Sequence, residues 1–130
     1  MLPILKKFKL KDMEDTKLIV NAPEEYYELL DEHEVAYDTE PFELVYDFIQ
    51  IFGTSNDELL QWASLYIEFL NTDGMFWLMY PKKRSKKYKN KAINRDTVEE
   101  LLREYQFKPT KNSSFDDDFS GLLFEPVERD

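Results

Sequence analysis

A chain of 130 residues with 42% apolar and 15% aromatic side chains has enough bulk for one packed domain without a disulfide or metal staple. The absence of cysteine excludes disulfides, thiolate metal sites and a cysteine nucleophile. A formal net charge of -10 argues against nucleic acid or an anionic membrane as partner of the chain as a whole.

The opening MLPILKKFKLKD has too short an apolar run before its lysines for a secretory signal. Residues 1–12 read instead as an amphipathic arm whose Leu2, Ile4, Leu5 and Phe8 pack across the sheet or against another subunit. The longest uncharged runs, 48–56 and 59–67, fall far below the roughly 18 residues of a spanning helix. The expectation is a cytoplasmic protein with no membrane partner.

Thr16 to Val20 (TKLIV) predicts a strand that runs straight into NAPEEYYELL. Asn21 with Glu24 three places on matches a helix N-cap pair, and Pro23 suits a first turn. Tyr26, Leu29, Leu30 and His33 share one face of that helix. Glu34 to Asp38 is a candidate short strand, followed by a loop over Thr39 to Pro41. Phe42 to Phe52 (FELVYDFIQIF), a near-continuous apolar run interrupted by Asp47, has the pattern of a strand covered on both sides. After Gly53, Ser55 and Glu58 form a capping-box pattern opening a helix to Leu70. Asn71 to Gly74 predicts a turn, and Met75 to Tyr80 (MFWLMY) the next buried strand.

Then comes YPKKRSKKYKNKAINRD. Seven of the 17 Lys and Arg residues fall between positions 82 and 91, leaving 10 basic and 27 acidic side chains in the other 120 residues. This basic loop, 82–94, begins at the carboxyl end of a central strand, where open α/β sheets bind ligands. Lys82 and Lys83, nearest the strand, are expected to be ordered, and the lysines from Lys86 to Lys91 mobile. Arg95 and the amides near Asp96 complete a candidate anion site. The competing reading is a solvated loop that aids solubility or contacts the acidic surface. Lysines in place of arginine forks, with Tyr88 the one aromatic, argue against duplex nucleic acid.

Asn94 or Asp96 caps a helix to about Tyr105, with Val98, Leu101, Leu102 and Tyr105 at helical spacing. Phe107 to Phe115 and Leu122 to Val127 then predict two strands, antiparallel because DDDFSG between them is short. The alternation defines an α/β, Rossmann-like three-layer sandwich. Its mostly parallel sheet ends in an antiparallel strand pair, and residues 1–130 form a single domain.

Chemical signatures are few. A dinucleotide or S-adenosylmethionine site of the usual kind needs glycines after the first strand, but here that turn is NAPEE and the only glycines are Gly53, Gly74 and Gly121. Glu24 and Glu25 would also repel a pyrophosphate there. No cofactor is expected. The single histidine, His33, lies on an apolar face without an identifiable partner, and no G-x-S-x-G elbow is present. From Asp116 the pattern D-x-D-x-S-G opens like a calcium loop, but its twelfth place is Val127, so a hairpin turn is the better account and no metal is expected.

LIVNAPEEY, YDFIQIF, FWLMYPKK, INRD and FSGLLF together resemble, in order and spacing, a family of small bacterial proteins defined only as a domain of unknown function. The resemblance covers about residues 10 to 126. It implies a Rossmann-like fold and no reaction. The later half is similar to the second half of class I S-adenosylmethionine-dependent methyltransferases, without their glycine-rich first turn. Phe119 stands where tryptophan is expected in many relatives. The matching positions nominate Asn21, Pro23, Tyr80, Pro81, Lys82, Lys83, Asp96 and Ser120 as a ligand surface, with Asn21 and Lys82 converging if their strands are neighbours. The structural alternative is that Asn21 caps a helix and Pro81 ends a strand. The expected function is a non-enzymatic binding or regulatory module for a small anion or an acidic protein segment. The alternatives are a diverged methyltransferase-like enzyme and an assembly subunit.

Overall fold

The structure, a computed structural model, describes residues 3–8, 10, 15–89 and 92–127. The elements are α1 (Pro3–Lys7), β1 (Lys17–Val20), α2 (Glu24–Glu32), β2 (Tyr46–Phe52), α3 (Asn56–Tyr66), β3 (Leu70–Pro81), α4 (Arg95–Glu100), β4 (Phe107–Ser114) and β5 (Phe119–Pro126). The sheet order is β1-β2-β3-β5-β4. β1 and β3 flank β2 in parallel, whereas β5 runs antiparallel to both β3 and β4. In leaving β3 through α4, the chain therefore skips one position in the sheet. The tight return from β4 fills that position with β5.

The fold is α/β and Rossmann-like, and its chain direction reverses at β1. After α2, Asp38 forms a single parallel bridge to the outer edge of β1, exchanging backbone hydrogen bonds with Lys17 and Ile19. This bridge is all that forms of the strand expected over Glu34 to Asp38. The chain then crosses back to β2 on the other side of β1. Crossovers of one hand that travel in opposite directions place their helices on opposite faces of a sheet. Accordingly, Leu5, Phe8, Tyr26 and Leu30 cover Ile19, Phe48, Phe52, Trp77 and Met79. On the other face Leu59, Ala63, Val98 and Leu102 cover Leu18, Val20, Ile49, Ile51, Phe76 and Leu78.

The amino-terminal arm takes the intramolecular option. Leu5, Phe8 and Leu10 are buried, and the Phe8 ring lies edge-on to Trp77 and Phe115, while Leu2 is outside the described residues. Burying a side chain of this size stabilises by roughly 1.5–3 kcal/mol. Gly121 permits this packing, because a Cβ there would lie 2.7 Å from Met79 Sδ and 3.1 Å from Trp77 Cε3.

Several boundaries differ from expectation: α4 ends at Glu100, with a separate 3-10 turn over Arg103–Tyr105, and β5 starts at Phe119 rather than Leu122. β2 begins at Tyr46 rather than Phe42: the Tyr46 hydroxyl accepts hydrogen bonds from the N–H groups of Phe42 and Glu43 and donates to the Asp38 carboxylate. The preceding chain thus folds back as a loop, leaving Phe42 and Leu44 74% and 90% exposed. α3 stops at Tyr66, a single 3-10 turn follows, and β3 starts at Leu70, absorbing the turn expected over Asn71 to Gly74. The extra β3 residues are accommodated by an irregularity between the pairs Tyr46↔Leu70 and Phe48↔Met75. Among the described residues no helix is long and apolar enough to cross a membrane.

Asp47 sits at that irregularity and ties three segments together. Its carboxylate accepts from Asn71 Nδ2 at 2.7 Å and Thr16 N at 3.3 Å, and its own N–H donates to the Thr16 hydroxyl at 3.0 Å. The Asn71 hydrogen bond, aided by those from Thr16, holds the carboxyl below its ordinary value of 3.8. A depressed folded-state pKa contributes stability above the unfolded value, lost as pH falls through the folded one. Asp47→Ala is expected to lower unfolding free energy by about 1–3 kcal/mol at pH 7. The gap from wild type should shrink below about pH 4, and urea unfolding at pH 7 and pH 3 measures both.

Candidate functional site

Two concavities lie at the carboxyl ends of the parallel strands, beside a third of about 520 Å³ in which Lys82, Arg84, Lys86 and Lys87 share the walls with Asp117 and Asp118. The first is the crevice where the chain reverses, between the ends of β1 and β2, the usual ligand position in an open α/β sheet. Its volume is about 260 Å³, and Asn21, Pro23, Phe52, Gly53, Glu58, Tyr88 and Phe119 are among its walls. Asn21 adopts the left-handed conformation at φ 60° and donates from Nδ2 to the Phe52 carbonyl at 2.9 Å, bridging the two strand ends. It does not cap α2. The N-cap is Pro23, without a side-chain cap hydrogen bond, because the αL turn sends the Asn21 amide toward β2 instead.

One amide of this first turn is already engaged. Ala22 N–H donates to the Tyr27 hydroxyl at 3.2 Å, which itself donates to the Ile19 carbonyl at 2.8 Å. Pro23 has no N–H, and Glu24 and Glu25 occupy the first turn of α2. Burial pushes the Tyr27 phenol up, keeping this hydroxyl a neutral donor. The residues present do not fit the glycine-turn cradle that S-adenosylmethionine or a dinucleotide would require.

The second concavity is a cationic cleft beyond β3. Its near wall is the start of the basic loop, hooked onto the β4–β5 hairpin. Lys82 N–H donates to the Asp118 carbonyl at 2.8 Å, and Ser85 Oγ donates to the Asp118 carboxylate at 2.7 Å while accepting from Tyr88 N–H at 3.0 Å. The Tyr88 ring packs against Phe119 at 5.0 Å between centroids. Asp116 sets the hairpin by accepting from the N–H groups of Asp118 and Phe119 at 2.8 and 2.7 Å, the turn role its sequence suggests.

The cleft has two halves that share Lys82, Lys83 and Arg84. One, of about 420 Å³, is completed by Ser85, Tyr88, Lys89 and Ile93. The other, about 450 Å³, is lined in addition by Tyr80, Pro81, Asn94, Arg95, Asn112, Ser114 and Ser120. No carboxylate lines either half among the described residues. Lys82 Nζ donates to Ser114 Oγ at 2.5 Å, Asn112 Nδ2 donates to the Tyr80 hydroxyl at 2.7 Å, and Arg95 pairs with Glu99 at 3.0 Å. Ser120 is buried and its hydroxyl donates to the Ser113 carbonyl at 3.3 Å. Lys87, outside the cleft halves, pairs with Glu25 across 3.6 Å of exposed surface.

Of the residues singled out in the sequence, Tyr80, Pro81, Lys82, Lys83, Arg95 and Ser120 line the polar half together. Asn21 and Pro23 line the other crevice. Asn21 and Lys82 do not meet as neighbours, because β2 lies between β1 and β3. Asp96 lines neither, and among the nearby helix amides Thr97 N–H is taken by Asn94 Oδ1 at 3.0 Å in a reciprocal cap of a six-residue helix. Within the stretch expected to be mobile, Tyr88 is a half-buried anchor; Asn90 and Lys91 lie outside the described residues. Sequence reasoning missed Arg84, Ile93, Asn112 and Ser114 as cleft residues. Arg84 stood in plain view within the basic run, whereas Asn112 and Ser114 belong to a polar edge strand with no periodic signal.

No protein-family model matches the chain, and comparison with curated proteins gives no match. Among solved structures it is similar to an S-adenosylmethionine-dependent methyltransferase from Aquifex aeolicus, with TM-score 0.61 and 13% identity over 93% of this chain and 86% of that one. It is also similar to a ribosomal protein L11 methylase from Lactobacillus delbrueckii subsp. bulgaricus, with TM-score 0.56 and 13% identity over 96% and 77%. A Clostridium acetobutylicum S-adenosylmethionine-dependent methyltransferase aligns with TM-score 0.56 and 9% identity over 96% and 89%. At such identities the likeness establishes the Rossmann-like fold.

The hook predicts how the cleft wall is kept in place. Ser85→Ala removes both side-chain hydrogen bonds, each worth about 0.5–1.5 kcal/mol. Tryptic cleavage within residues 82–89 is expected to accelerate several-fold, with the sheet retaining its protection. Limited proteolysis with mass mapping checks this.

Proposed function

We propose that the chain is a small cytoplasmic binding module that accepts an anionic ligand in the cleft beyond β3. The single observation that carries this reading is four cationic side chains, Lys82, Lys83, Arg84 and Arg95, around a cleft with no lining carboxylate among the described residues, on a strongly acidic protein. An acidic body repels anions at a distance, so a cation-walled concavity concentrates them at one place. The neutral donors Asn112 and Ser114 add hydrogen-bonding capacity on the opposite wall.

The test is calorimetric titration with pyrophosphate at low and moderate salt. Lys83 and Arg84 are exposed, so Lys83→Glu with Arg84→Glu is expected to change stability by no more than about 0.5 kcal/mol each. Affinity should fall by at least about tenfold, since charge-assisted hydrogen bonds contribute roughly 1.5–3 kcal/mol. Unchanged affinity in a folded double variant would remove the cleft from consideration.

A second reading, a diverged methyltransferase-like enzyme, is favoured by the fold likeness and by a crevice at the point of chain reversal. Against it stand the Asn21 bridge, the engaged Ala22 amide and the Glu58 carboxylate in the crevice wall. The expected result is no saturable binding of S-adenosylmethionine to the purified chain in the same calorimetric assay. Micromolar binding abolished by an Asn21→Arg change would establish the enzyme reading instead.

A further inference from the structure

The two halves of the cationic cleft differ in chemistry, and the difference says more about the ligand than the charge does. The polar half is walled by Tyr80, Asn112, Ser114 and Arg95, donors suited to oxygen-rich groups. In the other half Ile93 is buried and Tyr88 half-buried, the latter backed by Phe119, so an aromatic ring and an aliphatic side chain stand next to Lys82, Lys83 and Arg84. A bare inorganic anion would leave the exposed part of the Tyr88 ring in water. We propose that the ligand is a small anion carrying a planar aromatic group, of the chemical class of a nucleoside polyphosphate, with the ring against Tyr88 and Ile93 and the phosphates across Lys83, Arg84 and Arg95. The inference rests on the anion-binding reading of the same cleft.

Size and order favour this class. Each half, at about 420 and 450 Å³, lies in the range of small-molecule pockets, and Lys82, Lys83 and Arg84 line both. Tyr88 is held in place before any ligand arrives by the Ser85 and Phe119 contacts, which limits the ordering cost of binding. The acidic surface elsewhere selects a compact anion over an extended polyanion, whose further phosphates would lie against carboxylates.

The experiment titrates the full chain with tripolyphosphate, ATP, and a single-stranded ten-nucleotide DNA, by calorimetry at matched salt. Stacking of one base on an aromatic side chain predicts that ATP binds about tenfold more tightly than tripolyphosphate. In Tyr88→Leu, which keeps an apolar contact to Phe119, the ratio of the two affinities is expected to fall below about threefold. Equal binding of ATP and tripolyphosphate by the wild-type chain would overturn the aromatic assignment and leave the anion reading standing. No binding of either would overturn both. Tighter binding of the oligonucleotide than of ATP would overturn the small-molecule assignment in favour of a nucleic acid strand.

Discussion

The central constraint on this molecule is that β2 and β3 are covered on both faces, so each needs a layer of helix above and below. Ile49, Ile51, Phe76 and Leu78 face α3 and α4, and Phe48, Phe52, Trp77 and Met79 face α1 and α2. A chain of this length satisfies both layers only by reversing direction once, at β1. The Asp38 bridge on the outer edge of that strand records the turn-round. The reversal sends α2 to one face and α3 to the other, and it opens the crevice between β1 and β2 as a geometric by-product.

That crevice is a consequence of topology, yet its residues have been used to close it. Asn21 accepts a left-handed conformation to reach the Phe52 carbonyl, and Tyr27 satisfies both the Ala22 amide and the Ile19 carbonyl. Polar groups that would face a ligand in a glycine-rich turn are here paired within the fold. The available concavity is displaced two strands along, to the end of β3, where the skipped sheet position and the β4–β5 hairpin leave room.

The electrostatics follow from the same displacement. Like charges in a run repel, and the segment from Lys82 to Lys89 would be expected to splay into solvent. Ser85 and Tyr88, the uncharged residues within it, turn inward to Asp118 and Phe119 and fold the segment into a wall. The hairpin carboxylate that holds Ser85 faces the loop from outside both cleft halves, so the wall is anchored by an acid without placing one in the cleft.

Much of this was legible in the chain itself. Alternating β-branched and apolar runs identified β1, β2 and β3, Ser55 marked the start of α3, Asn94 or Asp96 that of α4, of which the structure uses Asn94, and the short DDDFSG link required β4 and β5 to be antiparallel, because these signals act within a few residues. The basic run and the end of the MFWLMY strand located the cleft for the same reason. Tertiary structure decided where side-chain hydrogen bonds and strand order compete with the local apolar pattern. Tyr46 drew Phe42 and Glu43 out of their expected strand, Asn21 abandoned a cap for Phe52, and Asn112 and Ser114 joined the cleft only because the chain skipped a sheet position that β5 later filled. The Asn21 outcome depends on a partner 31 residues away and that of Asn112 and Ser114 on the order of strands, while the Tyr46 hydroxyl acts three and four residues back along the chain through a side-chain contact, and none of these is written in the spacing of apolar residues.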